Sequence, residues 1–393
     1  MQPTSAYIYD AVRSPRGKAR ADGGLAALRP QEVVRQLKAE LDLRLDGAAA
    51  RSDALLLGCV GQVGSQGGHI ALISKLHCGL SDEAQACSIN NYCVSSLTAI
   101  GQAALMVASG QAQRVLAGGV EMMSQVPFMG DHAKYYSDDY FPARTRYIPV
   151  ALAADRLAEA EEIDRASLDA VALESQSRAS LAETQPALVR SRVVIRGEHG
   201  ALTRDECIRA QTTRESLAAL QPAFVELAAA YATALDGPID HRHTVAHAPP
   251  ICDGASLALL GRGAHEGGLR PRARIVSYAE AGGDPRASLL AGFSAMDRAL
   301  ARAGMTLAQM QAVEFMEAFA VTIAKFHRDR DVDPARVNVS GGHLAKGHPM
   351  GASGGILLST LLDVLEARDA QLGLVVASGA SGIGAAMIVE RLA

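Results

Sequence analysis

The sequence contains no tryptophan, and phenylalanine and tyrosine bring its aromatic share to only 4%. Alanine, glycine, leucine and valine dominate instead, which suits helices packed closely on strands better than an all-β sandwich. Its six cysteines (Cys59, Cys78, Cys87, Cys93, Cys207 and Cys252) form no CxxC and no cluster with histidine. That spacing argues against a metal site or a disulfide framework, so no metal is expected and a cytoplasmic location is. No block of five like charges occurs and the net charge is −4, so neither a nucleic-acid footprint nor a polybasic membrane patch is expected. The opening MQPTSAYIYDAVRSP lacks a charged segment followed by an apolar one, and no run of about 18 apolar residues stands out. Neither a secretory signal nor a membrane span is therefore expected.

With 49% hydrophobic and 20% charged residues over 393 positions, there is ample apolar material for two or three domains. Short β-branched runs alternate with Ala/Leu-rich stretches of helical length, which predicts an α/β architecture with parallel strands. One unit recurs. SSLTAIGQAALMVASGQAQRVLAGGVEMM, after Cys93, and GGILLSTLLDVLEARDAQLGLVVASGASG, near the end, each run from a helix through a polar turn into an apolar strand and a glycine turn. Apolar residues at helical spacing place the helices at 95–109 and 354–367. Two copies of one unit predict duplicated halves packed face to face. The segment from about 120 to 250 differs. Tyr135, Tyr136, Tyr140, Phe141 and Tyr147 occupy a polar loop before helices rich in Glu and Arg, which reads as a substrate-binding excursion or lid, with a plain surface elaboration as the alternative. The basic run Arg13 to Arg20, broken by Pro15 and Gly17, reads as a solvated loop, with a ligand phosphate contact as the minority reading.

Three features carry chemistry. Cys93 sits in SINNYCVSSLTAIG at the start of the 95–109 helix, where unpaired amides and the helix dipole lower a thiol pKa. His348 is held before Pro349 in the glycine-rich GGHLAKGHPMGASGG, a rigid turn from which an imidazole can take a thiol proton. The tail VVASGASGIGAAM offers a glycine turn whose amides can face a developing oxyanion. Each is weak alone; together they point to Cys/His acyl transfer.

These segments, with AVRSPRGKARADGGLAALRP, AGGVEMMSQVP, EAFA (317–320), VNVSGGHLAKGHPMGASG and GIGAAMIVERL, resemble the thiolase family in order and spacing from end to end. The resemblance implies an α/β thiolase fold, a duplicated α-β-α-β-α five-layer core with an inserted loop domain. Its halves would span 1–119 (completed by about 251–268) and 269–393, with 120–250 as the loop domain. It also implies a homodimer or homotetramer, an acyl-CoA or acyl-carrier thioester as substrate, and no permanently bound cofactor. Carried over residue by residue, Cys93 matches the acylated nucleophile and His348 its activating base. Arg209 and Ser216 match positions that contact coenzyme A. The amides of Cys93 and Ala380 match one oxyanion hole, although the family has glycine at the second position.

Several positions depart from the pattern. Ser378 stands where thiolases have the second cysteine that moves the α-proton of acetyl-CoA, and a serine hydroxyl is too weakly acidic to replace a thiol of pKa about 8.5. Met316 replaces an Asn or His before EAFA, offering only a weak acceptor. Pro249, in Ala248-Pro249-Pro250, replaces a serine that contacts the pantetheine arm, and Ser96 replaces a glycine after the nucleophile. Lys346 resembles the sterol-carrier-type thiolases. His343 is an additional imidazole that is either a substitute acid/base or a satisfied loop residue. The expected activity is therefore acyl transfer through Cys93. Claisen condensation or thiolysis of a 3-oxoacyl-CoA is the family default, transfer to another acceptor or hydrolysis the alternative, and a non-catalytic subunit the remote third.

Overall fold

The computed structural model describes residues 6–136, 138, 147–198, 200–235, 237–263 and 268–392. Tyr140 and Phe141 lie outside these residues. Among the described residues, nine strands form the main path of a ten-stranded sheet, the two-residue strand Gly17–Lys18 lying beside it: β1 (Ala6–Arg13), β2 (Ala54–Gly58), β3 (Gln85–Ile89), β4 (Arg114–Met122), β5 (Cys252–Gly261), β6 (Ala273–Gly282), β7 (Ala312–Phe315), β8 (Leu372–Gly379) and β9 (Ile383–Arg391). They lie in the order β7-β8-β9-β6-β1-β5-β4-β2-β3. From the middle outward the two halves read β1-β5-β4-β2 and β6-β9-β8-β7, the same arrangement twice, with β3 added at one edge. The duplication predicted from the repeated unit is thus present. The half-sheets join through only Ala6–Ile8 against Ala273–Ile275.

The strands are not all parallel. β2 runs parallel to β3 and β4, and β7 to β8, but β5 is antiparallel to β1 and β4, and β9 to β6 and β8. Only Ala380–Gly382 separate β8 from β9, too short for the crossover that parallel neighbours need. In the first half the excursion 123–251 returns the chain into β5 in the opposite direction.

Helices α1 (Pro30–Arg44) and α2 (Ile70–His77) cover the outer face of the first half-sheet. Helix α3 (Ser95–Ser109) lies inside. The excursion contributes α4 (Val150–Ala160), α5 (Arg165–Ala182), α6 (Arg214–Ala218) and α7 (Val225–Ala230). The second half adds α8 (Ala291–Ala303) on its outer face, α9 (Ala320–Asp329) against α4 and α5, and α10 (Ser353–Ala367) inside. Helices α3 and α10, close to the spans read from periodicity, pack on each other between the half-sheets and form the middle of five layers. α3 stops at Gly110, whose φ of 79° is the left-handed conformation that ends helices.

Tyr92–Ser109 and Met350–Ala367 are long and apolar enough to cross a membrane, against the expectation that no such run exists. Both are mostly buried, because a helix enclosed by two sheets and a second helix must be apolar all round. Leu97, Ile100, Leu357 and Leu361 are fully buried there, each contributing roughly 1.5–3 kcal/mol. Close approach depends on small residues: a Cβ at Gly354 would lie 2.6 Å from Leu97 Cβ.

The Arg13–Arg20 run is solvated only at its far end, where Lys18 and Arg20 are exposed; its first part is buried. Arg13 and Arg16 are each 2% exposed, and Arg13 makes a two-pronged ion pair with buried Asp205 at 2.8 and 3.0 Å. Asp205 Oδ1 also accepts from the Arg16 amide at 2.9 Å. The nearby guanidinium groups, Arg13 first, hold Asp205 well below the usual carboxylate range despite its burial. This contact fastens the excursion to the end of β1. Asp205→Asn should therefore destabilise the protein by ~3–5 kcal/mol, because Arg13 is left buried without its counter-charge. The check is the denaturant midpoint, and a loss under ~1 kcal/mol would contradict the assignment.

Candidate active site

Three chain turns meet where the half-sheets face the excursion. The first is Asn90–Val94, leading into α3. Its Tyr92 has a φ of 47°, and the Ser95 hydroxyl clamps the turn by donating to Tyr92 O (2.5 Å) and accepting from Asn91 N (2.8 Å). Cys93 keeps a partly exposed face toward a cavity. Protein packs around the rest of the thiol and pushes it up to about 12, while hydrogen bonds from the amides of Ala380 and Cys93 act in the opposite direction. The lowered thiol pKa expected from the helix dipole is thus overturned. The helix begins only at Ser95, and burial outweighs the amides. Burial thus favours the neutral thiol.

The second turn carries His348. Gly347 precedes it with a φ of 100°, and a Cβ there would lie 2.7 Å from Cys252 Sγ, so both conformation and space call for glycine. The His348 amide donates to Pro250 O at 2.8 Å, and its Nδ1 pairs with Ser353 Oγ at 2.8 Å, leaving Nε2 for chemistry. Burial, then the Arg16 charge, lowers the imidazole to about 3, so it stands neutral. The third turn follows β8, where Ala380 presents its amide to Cys93.

Cys93, His348, Ser378, Ala380 and Pro249 line one largely apolar cavity of about 290 Å³. A neighbouring cavity of about 370 Å³ is lined by Arg209, Ser216 and Gln176. Ala248 belongs to both walls, with Pro249 facing the first and Pro250 the second. Arg209 is exposed, while the Ser216 hydroxyl takes part in the cap of α6 with Thr213. The excursion supplies Val150, Ala151, Phe224 and Leu227 to the apolar wall, so it shapes the site rather than merely decorating the surface.

Two sequence candidates do not reach this space. Met316 is fully buried, its amide bonded to Val376 O at 2.8 Å, and Ala318 and Phe319 form that wall instead. His343 is also fully buried. Its ring meets that of His348 at 5.1 Å and 70°, and neither ring nitrogen has a protein partner. It is neither a satisfied loop residue nor a group at the cavity. Ser378 lines the cavity, but its hydroxyl donates to Leu289 O at 2.9 Å. Ser96, another departure, is put to use: its hydroxyl accepts from Gly355 N at 2.9 Å and ties α3 to α10.

The residues that hold the turns were not found from sequence. Glu121 accepts from the amides of Val60 (2.8 Å), Gly61 (2.9 Å) and Gly351 (3.0 Å), joining the histidine turn to the first half. Glu317 accepts from Ser175 Oγ (2.7 Å), Leu344 N (2.8 Å) and Asn338 Nδ2 (3.1 Å). Burial raises both carboxyl groups. The available signal was an acid inside an otherwise apolar motif, AGGVEMM and EAFA.

The Cys93 thiol, the His348 imidazole and the Ala380 turn thus meet beside a two-part cavity. The thiolase N-terminal domain matches residues 6–263 and the thiolase C-terminal domain residues 269–391. This chain belongs to the thiolase family. It is 34% identical to the 3-ketoacyl-CoA thiolases of Shigella dysenteriae serotype 1 and Escherichia coli strain K12, in each case across 98% of this chain and 99% of the relative. Human mitochondrial 3-ketoacyl-CoA thiolase superposes with a TM-score of 0.87 at 27% identity, covering 99% of both chains. The acetyl-CoA acetyltransferase of Bacillus anthracis does so at 0.86 and 28%, again covering 99% of both. The protein is thus an acyltransferase on the thiolase fold, as the motif resemblance implied.

Proposed function

We propose that this thiolase-family protein takes an acyl group from a coenzyme A thioester onto Cys93 and delivers it to an acceptor other than an acetyl-CoA enolate. The observation that carries the proposal is a contrast within one cavity. Cys93, His348 and the Ala380 amide converge there, while the Ser378 hydroxyl is committed to Leu289 O. The human thiolase of the same fold has been crystallised with CoA, which supports a CoA thioester as donor. The exposed Arg209 in the outer cavity suits its phosphates.

In the first half-reaction Cys93 Sγ attacks the thioester carbon as His348 Nε2 takes the thiol proton. This requires the tautomer in which His348 Nδ1–H donates to Ser353 Oγ. The oxyanion is received by the amides of Cys93 and Ala380. The C–S bond to coenzyme A then breaks, and the imidazolium returns the proton to the leaving thiolate. In the second half His348 deprotonates the acceptor, which attacks the acyl-Cys93 carbonyl and restores the thiol.

Because burial keeps His348 neutral, with a pKa of about 3, the base form persists well into acid. Acylation should be pH-independent from about pH 5 to about pH 8. Rapid-quench rates check this, and an acid limb near the ordinary histidine value would contradict it.

A second reading, Claisen condensation or thiolysis, is favoured by relatives named 3-ketoacyl-CoA thiolase. Both reactions move an α-proton, which needs a group of suitable pKa within reach. Deuterium wash-in to acetyl-CoA separates the readings. The wild type should load Cys93 while scarcely exchanging α-protons, and Ser378→Cys should raise exchange. Rapid exchange by the wild type would return the protein to carbon–carbon chemistry.

A further inference from the structure

Cys93 stands at the junction of two chambers of unlike size. One is the apolar cavity that leads past Ala248 toward Arg209. The other lies beyond Cys93 and Ala380, holds about 40 Å³, and is walled by Tyr92, Tyr136, Tyr147 and Phe128. A water-sized group needs about 10–15 Å³ of such space, so this chamber admits about three. From this juxtaposition we infer that the protein selects short acyl chains, of acetyl or propionyl size, and that the tyrosine-walled chamber behind Cys93 sets the limit. The inference rests on Cys93 being loaded from a CoA thioester and not on the nature of the acceptor.

The argument is one of excluded volume. While the donor is bound, its pantetheine arm occupies the apolar cavity between Arg209 and Cys93. The acyl chain leaves the same carbonyl carbon in another direction and must find room elsewhere. With the carbonyl oxygen at the amides of Cys93 and Ala380, which border both spaces, the chamber left free by the arm receives the chain. A longer chain would have to share the apolar cavity with the arm or displace the tyrosines.

The tyrosines are braced against displacement. Tyr136 packs on Tyr135 at 5.7 Å and on Tyr147 at 5.4 Å between ring centroids. Tyr135 itself lies 4.9 Å from Tyr147 and pairs its hydroxyl with Ser381 Oγ at 2.9 Å. Tyr231 donates to Tyr136 O at 3.1 Å. Tyr147 is only 1% exposed. Displacing the wall would cost these ring contacts and the Tyr135–Ser381 hydrogen bond.

The test is the rate at which Cys93 is acylated by acetyl-, propionyl-, hexanoyl- and octanoyl-CoA, followed by intact-mass spectrometry at limiting donor. Acetyl and propionyl groups should load at similar rates, and hexanoyl and octanoyl groups at least ~100-fold more slowly, a discrimination within reach of a pocket that excludes methylenes. Tyr136→Ala should raise hexanoyl loading relative to acetyl by at least ~10-fold. Phe128→Ala, at a more exposed wall position, makes the same test should the first variant misfold. Octanoyl loading at the acetyl rate in the wild type would overturn the inference and leave the acyl-Cys93 reading intact. No loading by any donor would overturn both.

Discussion

Cys93→Ala should fold normally and fail to retain any acyl group, with turnover lower by on the order of 10⁶, the scale seen when a covalent acyl-transfer site loses its nucleophile. The fold should survive because Cys93 precedes α3 rather than lying within it, and because one face of the side chain already borders open space. A smaller methyl there adds volume to an existing cavity instead of opening a new one. The amides of Cys93 and Ala380 remain, so the variant should still bind the donor thioester. Intact mass after incubation with acyl-CoA, beside a thermal melt, checks both halves. A folded Cys93→Ala protein that still becomes acylated would remove Cys93 from the mechanism.

His348→Ala should slow acylation by ~10²–10⁴, the usual contribution of a positioned proton acceptor. The structure also fixes how the residual rate responds to pH. With its thiol pushed up to about 12, Cys93 supplies almost no thiolate near neutrality without a base. The variant's rate should therefore rise about tenfold per pH unit through the alkaline range, since only hydroxide can form the thiolate. The wild type should stay flat up to about pH 8. A variant that also stays flat would mean that another group activates Cys93.

Much of this was legible in the sequence, and the limits follow from physics. Helices 95–109 and 354–367 could be read because each is a repeated apolar stretch that runs into a polar turn and an apolar strand. Their depth in the middle layer could not, since the same pattern serves a helix covered on one side. Cys93, His348, Ala380 and Pro249 do share a cavity, as the motif order implied. Met316 and His343 do not line it. Sequence position locates a residue along the chain but not on which side of a turn its side chain emerges. The Arg13–Asp205 pair joins positions 192 residues apart, a partnership that no local pattern reveals, so Arg13 looked like part of a solvated run. The pKa of Cys93 departs from the local expectation for a related reason. The helix start is visible locally, whereas the burial that outweighs it comes from distant segments. Antiparallel β9 is hidden because a three-residue glycine turn gives no local sign that the chain doubles back into a strand.

The most direct measurement is peptide mapping of the protein quenched within one turnover of acyl-CoA addition, before any acceptor is supplied. The account predicts one acyl group per chain, on the peptide that contains Cys93, stable until a nucleophilic acceptor is added and then lost in step with product. An acyl group on any other residue, or product released while Cys93 stays unmodified, would contradict it.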